Sequence, residues 1–192
     1  MNTLFPSQLP NQLVLVMGEH AASAWMLELA AWLSIQTCAS SSPFAPVRVL
    51  DGGNRFNAYP VARAIRRQQH DPRAALQRIQ LSRAFTCYQV DTLLNEWLPQ
   101  PGALLVFDLL ATFYDESVPL AESRRLLQRV LSRLVLHSKL APVIVSTRMP
   151  ATICEQRMVL LDMLKTYAVC EGSIRLELET PGTQRTPAAQ QL

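Results

Sequence analysis

Short unbroken apolar runs alternate with longer helix-forming stretches along the chain. Leu13–Met17, Val47–Leu50, Ala103–Leu109 and Pro142–Ser146 are such runs. A continuous apolar run, rather than strict alternation, predicts a strand buried on both faces, as in a parallel sheet. Ile79–Ala84 predicts a shorter strand, and Ser173–Glu179 alternates like an exposed or edge strand. Between these runs, Ala21–Thr37, Ala58–Gln69, Thr86–Leu98 and the stretches 120–138 and 152–166 read as helices. Pro72 opens one further short helical piece, and Gly52, Gly53 and Asn54 predict a turn. Strands alternating with helices predict an α/β layer fold with a largely parallel sheet. The pattern groups residues 13–179 into one domain, with an irregular lead-in over 1–12 and a polar, disordered tail over 180–192.

Composition narrows the class without naming a function. The chain has 192 residues, 49% of them hydrophobic, enough for one sizeable core. No apolar run approaches the ~18 residues of a membrane span, and the N-terminus lacks the basic start of an export signal. Cys38, Cys87, Cys154 and Cys170 are widely spaced and form no C-x-x-C pair. That spacing argues against zinc and for a reduced, cytoplasmic setting. His20, His70 and His137 make no metal-binding pattern, and no serine, histidine and acid gather into a triad. The reading is therefore of a chain without metal, membrane contact or hydrolytic machinery.

Open parallel sheets bind ligands at the carboxyl ends of their strands. Gly18, Asp51 and Asp108 each stand at such a predicted end. Asp51 and Asp108 are also the residue type that caps helices and accepts turn hydrogen bonds.

Five stretches carry a family resemblance. They are LVLVMGE (13–19), VRVLDGGNRFN (47–57), LSRAFTCYQVDTLL (81–94), ALLVFDLLATFYDE (103–116) and APVIVSTRMP (141–150). In order and spacing they resemble the ATPase core of RecA-like strand-exchange recombinases, in the archaeal and eukaryotic branch with its paralogs. The resemblance spans roughly residues 13–150. It implies a three-layer RecA-like P-loop NTPase fold with a largely parallel central sheet. It places the phosphate loop at Gly18, the Walker B aspartate at Asp108 and a polar sensor strand at Ser146–Arg148.

The departures fall on the chemistry. Where the resemblance implies the second glycine, the lysine and the Mg²⁺-binding hydroxyl of the phosphate loop, the chain has Ser23, Ala24 and Trp25. Gly53 stands at the position of the catalytic glutamate. Losing the charge clamp and the water-orienting carboxylate each lowers rate by orders of magnitude. The expectation is a pseudo-ATPase with no catalytic residue and no required cofactor, Gly18 and Asp108 being vestiges of a nucleotide site. Weak ATP binding through backbone N–H groups stays open, as does replacement of the lysine by Arg55 or Arg148.

Basic charge comes mostly from arginine; the only lysines are Lys139 and Lys165, and net charge is +3. Arginine grips phosphate in two places and stacks on bases, and genomic base composition also favours it. One cluster spans Arg63 to Arg83. In the other, Arg125, Arg129 and Arg133 share a helix face, with Arg124 beside them. Such a stripe can track a phosphate backbone or stand as a solvated face. Phe113 and Tyr114 are candidates for stacking on bases or for closing the sheet. The expected partners are single-stranded DNA and a RecA-like recombinase or other ATPase. The role implied is an accessory in DNA recombination or repair. The alternatives are an interaction subunit of an active ATPase without DNA contact, and a weak ATPase with a displaced cation.

Overall fold

The computed structural model describes residues 11–18, 20–39, 46–68, 70–150, 156–170 and 175–177. The expected lead-in and tail lie almost wholly outside them. The apolar runs form β1 (Leu13–Met17), β2 (Val47–Asp51), β4 (Leu104–Phe107) and β5 (Val143–Thr147). The weaker patterns form β3 (Ile79–Arg83) and β6 (Arg175–Glu177). All pair in parallel in the order β3-β2-β4-β5-β1-β6, so β3 and β6 are the edges. The intervening helices are α1 (His20–Ala39), α2 (Ala58–Arg67), α3 (Pro72–Leu76), α4 (Cys87–Glu96), α5 (Leu120–Ser138) and α6 (Met158–Cys170).

Why the strands are apolar throughout is visible in the two cores. Leu13, Leu15 and Met17 of β1 pack on the face covered by α4, α5 and α6. Val14 and Val16 pack on the face covered by α1, α2 and α3. The period-2 alternation thus exists, but both sides are buried, so both must be apolar. The chain forms an α/β sheet flanked by helices on both faces.

Two differences from the sequence expectation stand out. The strand expected over Ala103–Leu109 stops at Phe107, because Asp108 takes a left-handed backbone (φ 48°) and Leu109–Thr112 coil into a 3₁₀ turn. Extended pairing cannot pass such a residue, and aspartate tolerates it better than most side chains. The helix expected over 152–166 runs instead over Met158–Cys170, and residues 151–155 lie outside the described residues. Among the described residues no helix is long and apolar enough to cross a membrane.

The crossovers decide where a site forms. From β1 the chain moves outward through α1 to β2 and through α2 and α3 to β3 on one face. It returns through α4 to β4, then through α5 to β5 and α6 to β6 on the other face. Right-handed crossovers require this change of face when the direction reverses. The neighbours β1 and β5 therefore send their following helices to opposite faces, leaving a crevice at their carboxyl ends.

A buried arginine closes the layer around α5. Arg157 is 6% exposed. It donates from Nη1 to the Phe113 carbonyl at 2.7 Å and to Ser123 Oγ at 3.0 Å, and from Nη2 to the Val118 carbonyl. It thereby ties the segment between β4 and α5 to the start of α6. Arg157→Ala leaves these buried acceptors unsatisfied and is expected to cost about 2–4 kcal/mol. Urea denaturation checks this; a loss below about 0.5 kcal/mol would mean the segment holds without the guanidinium.

Candidate functional site

The crevice is a cavity of about 210 Å³ lined by Gly18, His20, Ser23, Arg55, Asp108, Ser146, Thr147 and Arg148. Three strand ends build it. From β1 comes Gly18, at φ 148°, a conformation a side chain rarely adopts; its N–H donates to the Thr147 carbonyl at 3.2 Å. α1 begins at His20, three positions after the last residue of β1. A phosphate-cradling loop needs several residues of non-helical backbone. Here Ser23, Ala24 and Trp25 already lie inside α1. Ala24 is exposed, and Trp25 packs against the core between the sheet and α1 rather than lining the cavity.

Asp108 is the centre of the cavity. It is 5% exposed, and its backbone N–H donates to Ser146 Oγ of β5 at 3.0 Å. Its Oδ2 faces Arg148 Nε at 3.1 Å and Arg55 Nε at 3.5 Å. Its Oδ1 is buried without a hydrogen-bond partner among the described residues. Burial pushes this carboxyl above the usual carboxylate range, more than Arg148 and Arg55 pull it down. Tyr114 stands behind it, donating from its hydroxyl to the Arg148 carbonyl at 3.3 Å. Burial and the nearby Asp108 charge push that phenol upward.

Gly53 explains how two arginines reach one carboxylate. A Cβ on Gly53 would stand 2.5 Å from Asp108 Cβ and 2.6 Å from Oδ2. In this backbone Asp108 occupies the space that any side chain at position 53 would enter. A glutamate there has no room.

Asp51 has a different task. Its carboxylate accepts the backbone N–H groups of Arg55 at 2.8 Å and Phe56 at 2.9 Å, and Arg83 Nε lies 3.6 Å from Oδ2. It holds the turn after β2 and aims Arg55 toward the cavity. Of the two aspartates the sequence nominates, one is a turn acceptor and the other faces the cavity.

The α5 arginines lie elsewhere. Arg125 forms a two-pronged pair with Glu122, at 2.8 and 2.7 Å. Arg129 lies 3.1 Å from Asp91 of α4, and Arg133 donates to Asn95 of α4 at 2.7 Å. Arg129, Arg133, Asp91 and Asn95 line a cleft of about 350 Å³ between the two helices. Three of the four nominated arginines are thus paired within the protein, Arg125 and Arg133 by hydrogen bonds and Arg129 by an ion pair, and Arg124 is exposed. Phe113 is fully buried, so it cannot stack on a base; Tyr114 is half-buried. Pairing across helices leaves no mark in a linear pattern. The Arg125 pair alone, at i, i+3 from Glu122, was there to be read.

Three stability experiments follow from this geometry. Gly53→Ala is expected to cost about 1–3 kcal/mol by overpacking, and Asp108→Gly in the same chain should relieve most of the clash. A purely additive double-mutant cycle would contradict the contact. Asp51→Ala should cost about 2–4 kcal/mol, since a buried N–H group and a partly buried one lose their acceptor. Asp108→Asn should be neutral or stabilising at pH 7. A carboxyl whose folded pKa is raised contributes stability at low pH that is lost as pH rises through that pKa. The difference between Asp108→Asn and the parent should therefore close as pH falls through the ordinary carboxylate range. Denaturation across pH reads both, and a large loss for Asp108→Asn at pH 7 would contradict the raised pKa. Compared with known families and with curated proteins, the chain matches no family model and no curated protein.

Proposed function

We propose that the chain is a catalytically silent RecA-like domain that works by binding, as an accessory in DNA recombination or repair. It would engage single-stranded DNA, a recombinase ATPase, or both. The observation that carries the silent-site half is the Asp108 carboxylate, covered at Oδ2 by Arg148 and Arg55. A Walker B aspartate works by offering negative charge to Mg²⁺. Here two fixed cations already stand at that oxygen, and Gly53 leaves no carboxylate to orient water. With α1 beginning at His20, three positions after β1 ends, Ser23, Ala24 and Trp25 are helical and do not form a loop that would wrap a triphosphate. The strand order supports the RecA-like half, since it brings Gly18, Asp108 and the sensor segment Ser146–Arg148 to one crevice.

The recombination role rests on the sequence resemblance, and fold alone does not fix function. An interaction subunit that never touches DNA is the second reading. It is favoured by the α5 arginines being paired with Glu122, Asp91 and Asn95.

Fluorescence anisotropy of single-stranded DNA at 50 and 200 mM salt, with and without ATP–Mg²⁺, tests the proposal alongside phosphate release. Binding should weaken by about 20- to 50-fold over that salt range if three or four phosphates are contacted. It should ignore ATP, and no phosphate should be released. Phosphate release abolished by Asp108→Asn would restore the displaced-cation ATPase. Absent DNA binding with altered turnover of a recombinase ATPase would establish the interaction subunit.

A further inference from the structure

We infer that the open groove beside the cavity, between the turn after β2 and the end of β3, is a binding site for the unpaired bases and phosphates of a single-stranded nucleic acid. The inference rests on the reading of the chain as a DNA-contacting accessory, and it places the contact away from α5.

The groove has a volume of about 540 Å³ and, among the described residues, no acidic residue in its lining, which includes Arg55 and Arg83 with His20, Asn54 and Asn57. Both arginines are pre-positioned from behind by buried carboxylates, Arg55 by Asp108 and Arg83 by Asp51. Arg83 also donates from Nη2 to the Phe56 carbonyl at 3.3 Å. Their side chains are 33% and 42% exposed, so guanidinium N–H groups remain available to the groove. A planar fork fixed in place loses little entropy on meeting phosphate.

Two large aromatics stand out of the protein at its borders. Tyr59, 70% exposed, follows the lining residue Ala58 in the first turn of α2. Phe85, 72% exposed, stands two residues beyond Arg83. The register pairs Asp51 with Arg83, and the Ala84 N–H donates to the Asp51 carbonyl at 3.0 Å, so Phe85 and the turn that leads to Tyr59 in α2 leave from the same end of adjacent strands. Exposed rings beside a basic polar groove are the two parts of a single-strand site: charge tracks the backbone and π-faces stack on bases. Along α2, Tyr59, Arg63 and Arg66 fall at i, i+4 and i+7, on one face. Arg63 and Arg66 are exposed and make no ion pair among the described residues. A strand leaving the groove past Tyr59 therefore meets two further cations. On α5, by contrast, three of the four arginines pair with Glu122, Asp91 and Asn95, although the exposed Tyr88 of α4 stands near Arg125.

The probe is a fluorescent oligothymidine of about 12 nucleotides, within the usual site sizes, followed by anisotropy with an equal-length duplex as competitor. Tyr59→Ala and Phe85→Ala should each weaken binding by about 5- to 150-fold. Tyr59→Phe and Phe85→Trp should retain it, since both keep a π-face. Arg63→Gln and Arg66→Gln should each reduce the salt slope by about 0.7. Arg129→Gln and Arg133→Gln should leave affinity unchanged, and the duplex should compete poorly. Loss of binding in the α5 variants with none in the groove variants would overturn this site while leaving DNA contact standing. Equal competition by duplex would also overturn it, because stacking needs unpaired bases. No binding by the parent chain would remove the DNA reading itself. Loss of a recombinase or other protein partner, with DNA affinity intact, would reassign Tyr59 and Phe85 to a protein interface.

Discussion

One carboxylate organises the site and sets which groups stand at its centre. Asp108 ends β4 in a left-handed turn and swings its side chain into the space left by Gly53. There it meets Arg148 from the end of β5 and Arg55 from the turn after β2. Three strand ends are linked through one oxygen. The arrangement is compact because each member depends on another: Gly53 gives the room, Asp51 sets the turn that carries Arg55, and Ser146 holds the Asp108 backbone. Desolvation of the carboxylate is only partly offset, as its raised pKa indicates. A buried ionic cluster of that kind adds little stability but fixes the relative positions of its parts.

Topology determines that this cluster lies at a crevice and not elsewhere. The all-parallel order forces right-handed crossovers to change face between β1 and β5, so their helices part at the carboxyl end. The buried faces of the sheet hold the strands in register, with Leu15, Leu105 and Val145 fully buried. The same geometry puts the end of the edge strand β3 beside the turn after β2, where Arg83 reaches back to Asp51 and Phe56. The cavity and the open groove are thus neighbours that share His20, Ser23 and Arg55. Charge fixed in the first positions charge in the second.

Much of the fold was legible in the apolar runs, because strands buried on both faces admit few polar residues. Leu13–Met17 appears with the expected bounds, and β2 and β5 start or end one residue away from theirs. The end of β4 was not legible: Leu109 and Leu110 are as apolar as the strand, and nothing local announces that Asp108 turns left-handed. Gly18 and Asp108 were legible as strand-end residues, and the structure brings them to one cavity. Arg55 and Arg148 could be named as candidates but not placed, since their common partner is 53 and 40 residues away along the chain, from 55 to 108 and from 108 to 148. The partners of the α5 stripe were hidden for a related reason. Its spacing is periodic, but Asp91 and Asn95, which take up two of its members, belong to another helix. Arg157 gave no signal at all; a single arginine within an expected helix says nothing about acceptors in the segment between β4 and α5 and in the first turn of α5.

Electron paramagnetic resonance of Mn²⁺, titrated with the protein in the presence of ATP, bears most directly on the central claim. Free Mn²⁺ and Mn²⁺–ATP give known signals that change when protein ligates the metal. Because Arg148 and Arg55 already hold the Asp108 carboxylate, the signal should be that of Mn²⁺–ATP in buffer, unaltered by protein. A protein-bound Mn²⁺ signal that disappears in Asp108→Asn would show that the arginines yield to the metal, and the silent-site account would fail.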